Sequence, residues 1–246
     1  VMGLSFWACE ELESFLGEET DKLTEQEVIE GLKTALQVGT DTAVSVTSQL
    51  NGYYKDEVIK ILLPEEVRNA ESTIRSIGFG EELDDFLISM NRAAEDAADE
   101  AAPIFTNAIT DLSISDGWDI LNGINPAEGT TKSFDSTAAT SYLISTTRNS
   151  LFDAFQPKIK TSLDKDLIGK YSTNEVWNTI TTAYNSATLL TGGDEIETEL
   201  DVYVTEKGLD GLFYKVGEEE KAIRRDPLAW AETKVGNILE KVFGSK

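Results

Sequence analysis

From Leu87 to Ala108 the apolar residues fall at Leu87, Met90, Ala94, Ala97, Ala101, Ile104 and Ala108, in alternating steps of three and four. That period belongs to the α-helix and places all seven on one narrow stripe. The stripe is mostly alanine, so a partner helix can approach it closely. A strand would scatter the same residues over both of its faces. This segment therefore requires helix-on-helix packing, with the stripe as core. Pro103 lies inside it, removes one backbone hydrogen bond and is expected to kink or interrupt the helix.

The flanking sequence repeats the pattern. Thr24-Glu25-Gln26-Glu27 is a capping box, followed at helical spacing by Val28, Ile29, Leu32, Ala35, Leu36, Ala43 and Val46, with Gly52 closing the unit. Tyr53 to Leu63 is extended in character, and residues 58–63 predict a short strand or hairpin arm. Pro64 suits the first position of a helix that turns Val67, Ala70, Ile74 and Ile77 inward and ends at Gly78. Residues 111–117 resemble a calcium loop, but Asp116 stands at the obligatory glycine position and Asn122 at the twelfth. Ser113-x-x-Asp116 instead predicts the cap of a short helix ending at Gly123. A polar loop spans Asn125 to Phe134, and a helix is expected from Asp135 or Ser136 to Phe155, stopping before Pro157. Ser172-Thr173-Asn174-Glu175 opens another through Trp177, Ile180 and Tyr184, and two more read as Leu200 to Arg225 and Leu228 to Phe243. There is no internal repeat, no strand–helix alternation and no glycine-rich phosphate loop. The expectation is an all-α fold: a single bundle-like domain over residues 25–246, with seven or eight helices.

Composition narrows the chemistry. Forty-five acids against 21 bases give a net charge of −24, which repels a phosphate backbone and excludes nucleic acid as a partner. With no histidine there is no Ser or Cys triad of the usual kind, no His-ligated zinc or haem, and no imidazole acid–base catalyst. One cysteine excludes an internal disulfide. No cofactor, metal centre or catalytic residue is expected.

Residues 1–9, Val-Met-Gly-Leu-Ser-Phe-Trp-Ala-Cys, are apolar and uncharged, and Glu10, Glu11, Glu13, Glu18 and Glu19 follow at once. Ala8 before Cys9 resembles the end of a bacterial lipoprotein signal, although Phe6 stands where Leu is usual. Cys9 is thus the expected lipidation site and residues 10–24 an acidic tether. The only membrane contact expected is through that lipid, whose buried methylenes contribute about 0.8 kcal/mol each. The expected address is the bacterial cell envelope, on its periplasmic or surface face, with secretion to the periplasm as the alternative.

Several strings resemble a known bacterial family, domain of unknown function 4197. They include Gly31-Leu32-Lys33-Thr34-Ala35-Leu36, Met90-Asn91-Arg92-Ala93-Ala94-Glu95, Ile120-Leu121-Asn122-Gly123, Thr137-Ala138-Ala139-Thr140, the run from Tyr203 to Phe213, Glu218 to Arg224, and Lys241-Val242-Phe243-Gly244. Their order matches across residues 28–244. Leu62, where the family usually has Pro, and Gly208, where it usually has Ala, depart from the pattern. The resemblance implies helical, exported proteins and assigns no activity.

Three functions compete at this level. The first is a non-enzymatic envelope lipoprotein domain that binds a protein partner or scaffolds an assembly. The second is a module for a small ligand or anion with an interhelical polar pocket. Its candidate residues are Asn91, Arg92 and Glu95 beside the alanine stripe, and Asp135, Thr137 and Thr140 at a helix start whose N–H groups favour anions. Asp210, between Gly208 and Gly211, is expected to join Asn91 and Arg92 in one interhelical network. The third is a carboxylate-based hydrolase or metal enzyme. Glu218-Glu219-Glu220 reads as a solvated helix face.

Overall fold

Three helices begin where the sequence carries a hydroxyl cap with an acid three residues on. Thr24 Oγ1 accepts from Glu27 N–H while the Glu27 carboxylate accepts from Thr24 N–H. Ser113 Oγ accepts from Asp116 N–H at 3.1 Å, and Ser172 and Glu175 cap each other reciprocally. The computed structural model describes residues 24–226 apart from 77, 127–133, 166–170, 192–194 and 197. Among the described residues there are eight helices and no strand. They are α1 (Glu25–Thr47), α2 (Glu65–Ser76), α3 (Gly80–Ala98), α4 (Ala101–Thr110), α5 (Ile114–Leu121), α6 (Ala138–Leu163), α7 (Thr173–Thr191) and α8 (Leu200–Arg225). The expected helix Leu228–Phe243, Cys9 and nearly all of the tether lie outside the described residues.

The fold is all-α. Helix α8 packs against α1, α3 and α6, while α4 fills between α1 and α6. Their inward side chains share one hydrophobic core, in which Phe105 meets Phe213 edge-on at 5.8 Å and Phe86 stacks on Trp177 at 5.3 Å. The alanine stripe is at its centre: Met90, Ala94, Ala97 and Ala101 are wholly buried. The stripe is nonetheless two helices. The break falls at Asp99-Glu100, because the Pro103 ring excludes the carbonyl four residues earlier, that of Asp99. Pro103 then lies in the first turn of α4, where its missing N–H would have had no intrahelical partner.

Two expectations are corrected. Residues 58–63 form no strand. The chain turns on Asp56, whose Oδ1 accepts from Val58 and Ile59 N–H, and then reaches Pro64 with no described segment beside it to complete a ladder. The side chain of Asn91 takes the place of that neighbour: Ile61 N–H donates to its Oδ1 at 2.8 Å, and its Nδ2 donates to Ile61 O at 2.9 Å. Helix α6 also does not stop before Pro157 but continues to Leu163. An interior proline costs about 3 kcal/mol. Ile159 and Leu163, beyond it, are wholly buried, and each contributes about 1.5–3 kcal/mol. Together they offset the proline.

Candidate functional site

The two buried carboxylates of the described residues are Glu95 and Glu220, 3% and 8% exposed. Each holds a distant segment in place. Glu95 projects from α3 into the turn after α1, where Oε1 accepts from Tyr53 and Tyr54 N–H at 3.1 Å each and Oε2 from Asn51 N–H at 3.1 Å. Arg92, one turn back, pairs with the same carboxylate and donates from Nη2 to Asn51 Oδ1 at 2.8 Å. Asn51 adopts φ 73°, a left-handed conformation that asparagine tolerates better than most residues. Tyr53 is fully buried, and its hydroxyl donates to Gly208 O at 2.7 Å. Burial, reinforced by the Glu95 charge, raises the Tyr53 phenol far above its ordinary value, so it stays a donor.

The start of α6 does hold an anion, and the anion is the chain's own. Glu220, from α8, accepts from Ala139 N–H at 3.1 Å and, at 2.8 Å each, from Thr140 N–H and Oγ1. Arg224 donates to the same carboxylate from Nε and Nη2 and reaches Ile120 O at 3.0 Å. Asp135 completes the turn by accepting from Thr137 N–H, Thr137 Oγ1 and Ser141 Oγ. Partial burial opposes its ionisation, yet the hydrogen bonds from Ser141 and Thr137 hold Asp135 below the ordinary carboxylate range. The solvated face expected at 218–220 is therefore only partly so: Glu218 pairs with Lys221 on the surface, while Glu220 is interior. Position 220 falls at helical spacing with buried Val216 and Ile223, which is the signal that marks it.

Asn91, Arg92 and Glu95 thus come together, as do Thr137 and Thr140 with Asp135 alongside. Asp210 joins neither group. It is half-exposed and pairs with Arg148 at 2.8 Å and Lys207 at 3.6 Å. The flanking glycines do admit close neighbours, on two sides: a Cβ on Gly208 would lie 3.4 Å from Ala94 Cβ of α3, and one on Gly211 would lie 2.7 Å from Tyr53 Cε1 in the 53–59 turn.

Among the clefts that open on the described residues, two are lined by side chains named above. One, between α1, α5 and α8, encloses about 420 Å³ counting its mouth, with Leu32, Leu36, Val216 and Ile223 around the Glu220–Arg224 pair. The other encloses about 830 Å³ on the same basis and runs between residues 58–62 and α8. Lys60, Arg68 and Lys207 line it together with Tyr203, Tyr214 and Leu62. Tyr203 bridges its walls by donating to Leu62 O at 2.9 Å, and burial raises its phenol. Lys60 rests over the Tyr54 ring at 4.4 Å. This groove was not foreseen from sequence, because its cations come from three separate stretches of chain.

Among the described residues no three acidic or cysteine side chains gather in a metal-binding group, and no helix is long and apolar enough to cross a membrane. No curated protein and no solved structure matches the chain. The model of one family, described as protein of unknown function (DUF4197), matches residues 22–244. The Asn91–Glu95 and Thr137–Thr140 clusters both fall inside that span, and the chain belongs to the DUF4197 family.

Proposed function

We propose that this chain is a non-enzymatic binding domain held at the bacterial cell envelope by a lipid on Cys9. The observation that carries the binding role is the commitment of both buried carboxylates to chain segments, Glu95 to the 51–54 turn and Glu220 to the start of α6. A carboxylate whose two oxygens are both engaged by N–H donors and a guanidinium of its own chain has neither turned toward a substrate. The larger groove, by contrast, is open and lined by cations and aromatics. The address is supported by the apolar run ending in Ala8-Cys9 and the acidic stretch after it. Growth with an alkyne-bearing fatty acid tests the anchor: label on the wild-type chain and none on Cys9→Ala is the expected result. An unlabelled wild type, or label that survives the substitution, overturns it.

A further inference from the structure

The groove between residues 58–62 and α8 departs from the rest of a chain with 45 acids and 21 bases. A surface cation in such a chain has carboxylates in excess, yet Lys60 and Arg68 make no ion pair among the described residues, and Lys207 reaches Asp210 only at 3.6 Å. Asp210 also lines the groove and is paired with Arg148 at 2.8 Å. Arg68 acts on the Tyr203 phenol, and Glu66 acts on it with the opposite sign. Beside the cations stand three large apolar or aromatic side chains open to solvent, Val58 (64%), Leu62 (49%) and Tyr214 (42%). The walls are fixed in advance of any ligand. Asn91 clamps Ile61, Tyr203 fastens Leu62 to α8, and Tyr53 ties the same turn to Gly208. A pre-formed groove with apolar lining and a few convergent polar groups is the usual form of a small-molecule site.

We infer that this groove binds a small organic anion, a carboxylate or phosphate head carried on an apolar body. Arg68, Lys60 and Lys207 meet the head, and Val58, Leu62 and Tyr214 cover the body. Arginine and lysine are the side chains suited to such oxyanions. The net charge of −24 limits the class: a polyanion is repelled by the whole molecule, whereas one or two charges are governed by the cations nearest them. The inference rests on the reading of the chain as a binding domain and is independent of the lipid on Cys9.

Calorimetric titration of the full chain with octyl phosphate, octanoate, octanol and inorganic phosphate tests it. The first two are expected to bind one per chain, and octanol and inorganic phosphate at least tenfold more weakly. The double substitution Lys60→Gln with Arg68→Gln should weaken octyl phosphate at least tenfold. Lys160→Gln, an exposed cation outside the groove, should not. Unchanged melting temperatures confirm that the variants fold, and Arg68→Gln alone serves if the double variant does not. Octanol binding as tightly as octyl phosphate, or indifference to the groove substitutions, overturns the anionic class while leaving a binding groove. No binding of any of the four removes the groove from the binding role as well. Vesicles separate the sources of such a head. Preference for phosphatidylglycerol over phosphatidylcholine, lost in the groove variant, assigns a lipid headgroup; octyl phosphate binding without vesicle binding assigns a free anion.

Discussion

Two glycines one turn apart on α8 do opposite things. Gly211 is required: a Cβ there would meet the Tyr53 ring at 2.7 Å and Ile59 Cβ at 3.1 Å, and both neighbours are buried. Gly211→Ala should therefore lower stability by about 1–3 kcal/mol, as overpacking does. At Gly208, where the family usually carries Ala, an added methyl would stand 3.4 Å from Ala94 Cβ, an ordinary contact. Gly208→Ala should raise stability by about 0.5–1 kcal/mol through helix propensity. Urea titrations of the two variants check both signs. Asp56 supplies a pH test. Partial burial opposes its ionisation, but Lys215 and the N–H groups of Val58 and Ile59 hold it below its ordinary value. A carboxylate depressed in the folded state adds stability above its unfolded pKa and loses it as pH falls through the folded one. The melting-temperature gap between wild type and Asp56→Asn should thus be widest near neutrality and close below about pH 4, the ordinary aspartate value. A gap that widens in acid would contradict the assignment.

At the scale of elements, helix starts were legible because a cap is a local code: Thr24, Ser113 and Ser172 each act within three residues of their own position. Helix ends near proline were less so. Pro103 breaks the chain four residues upstream, whereas Pro157 leaves α6 unbroken because Ile159 and Leu163 are buried beyond it. Only tertiary packing separates the two cases. The Asn91–Arg92–Glu95 cluster was legible as a polar strip beside a buried stripe. Its partners were not, since Asn51, Tyr53 and Ile61 are brought there by the path of the loop. The same limit explains why Arg92 and Asp210 do not meet. The stripe itself makes a sharper claim. Ala97 is wholly buried in α3, so Ala97→Leu should cost about 1–3 kcal/mol, seen as a lower urea midpoint with an unchanged slope.

Across the whole molecule an excess of 24 negative charges makes self-repulsion the dominant long-range term. Exposed pairs such as Arg75–Asp84 and Lys158–Glu100 contribute little and weaken in salt, but the repulsion they sit in weakens too. Raising sodium chloride from about 10 to 150 mM should increase the melting temperature, as the screening length shortens to about 8 Å. A decrease would mean that local pairs outweigh the net charge. The order in which the chain is made gives α8 a further importance. It carries Glu220 to the start of α6, accepts the Tyr53 hydroxyl at Gly208 and covers α1 and α3, yet it is the last helix described. A chain emerging N-terminus first exposes the inner faces of α1, α3 and α6 until residue 225 has followed. Until then the nascent protein is an open, pliable thread, and α8 is the closing stitch.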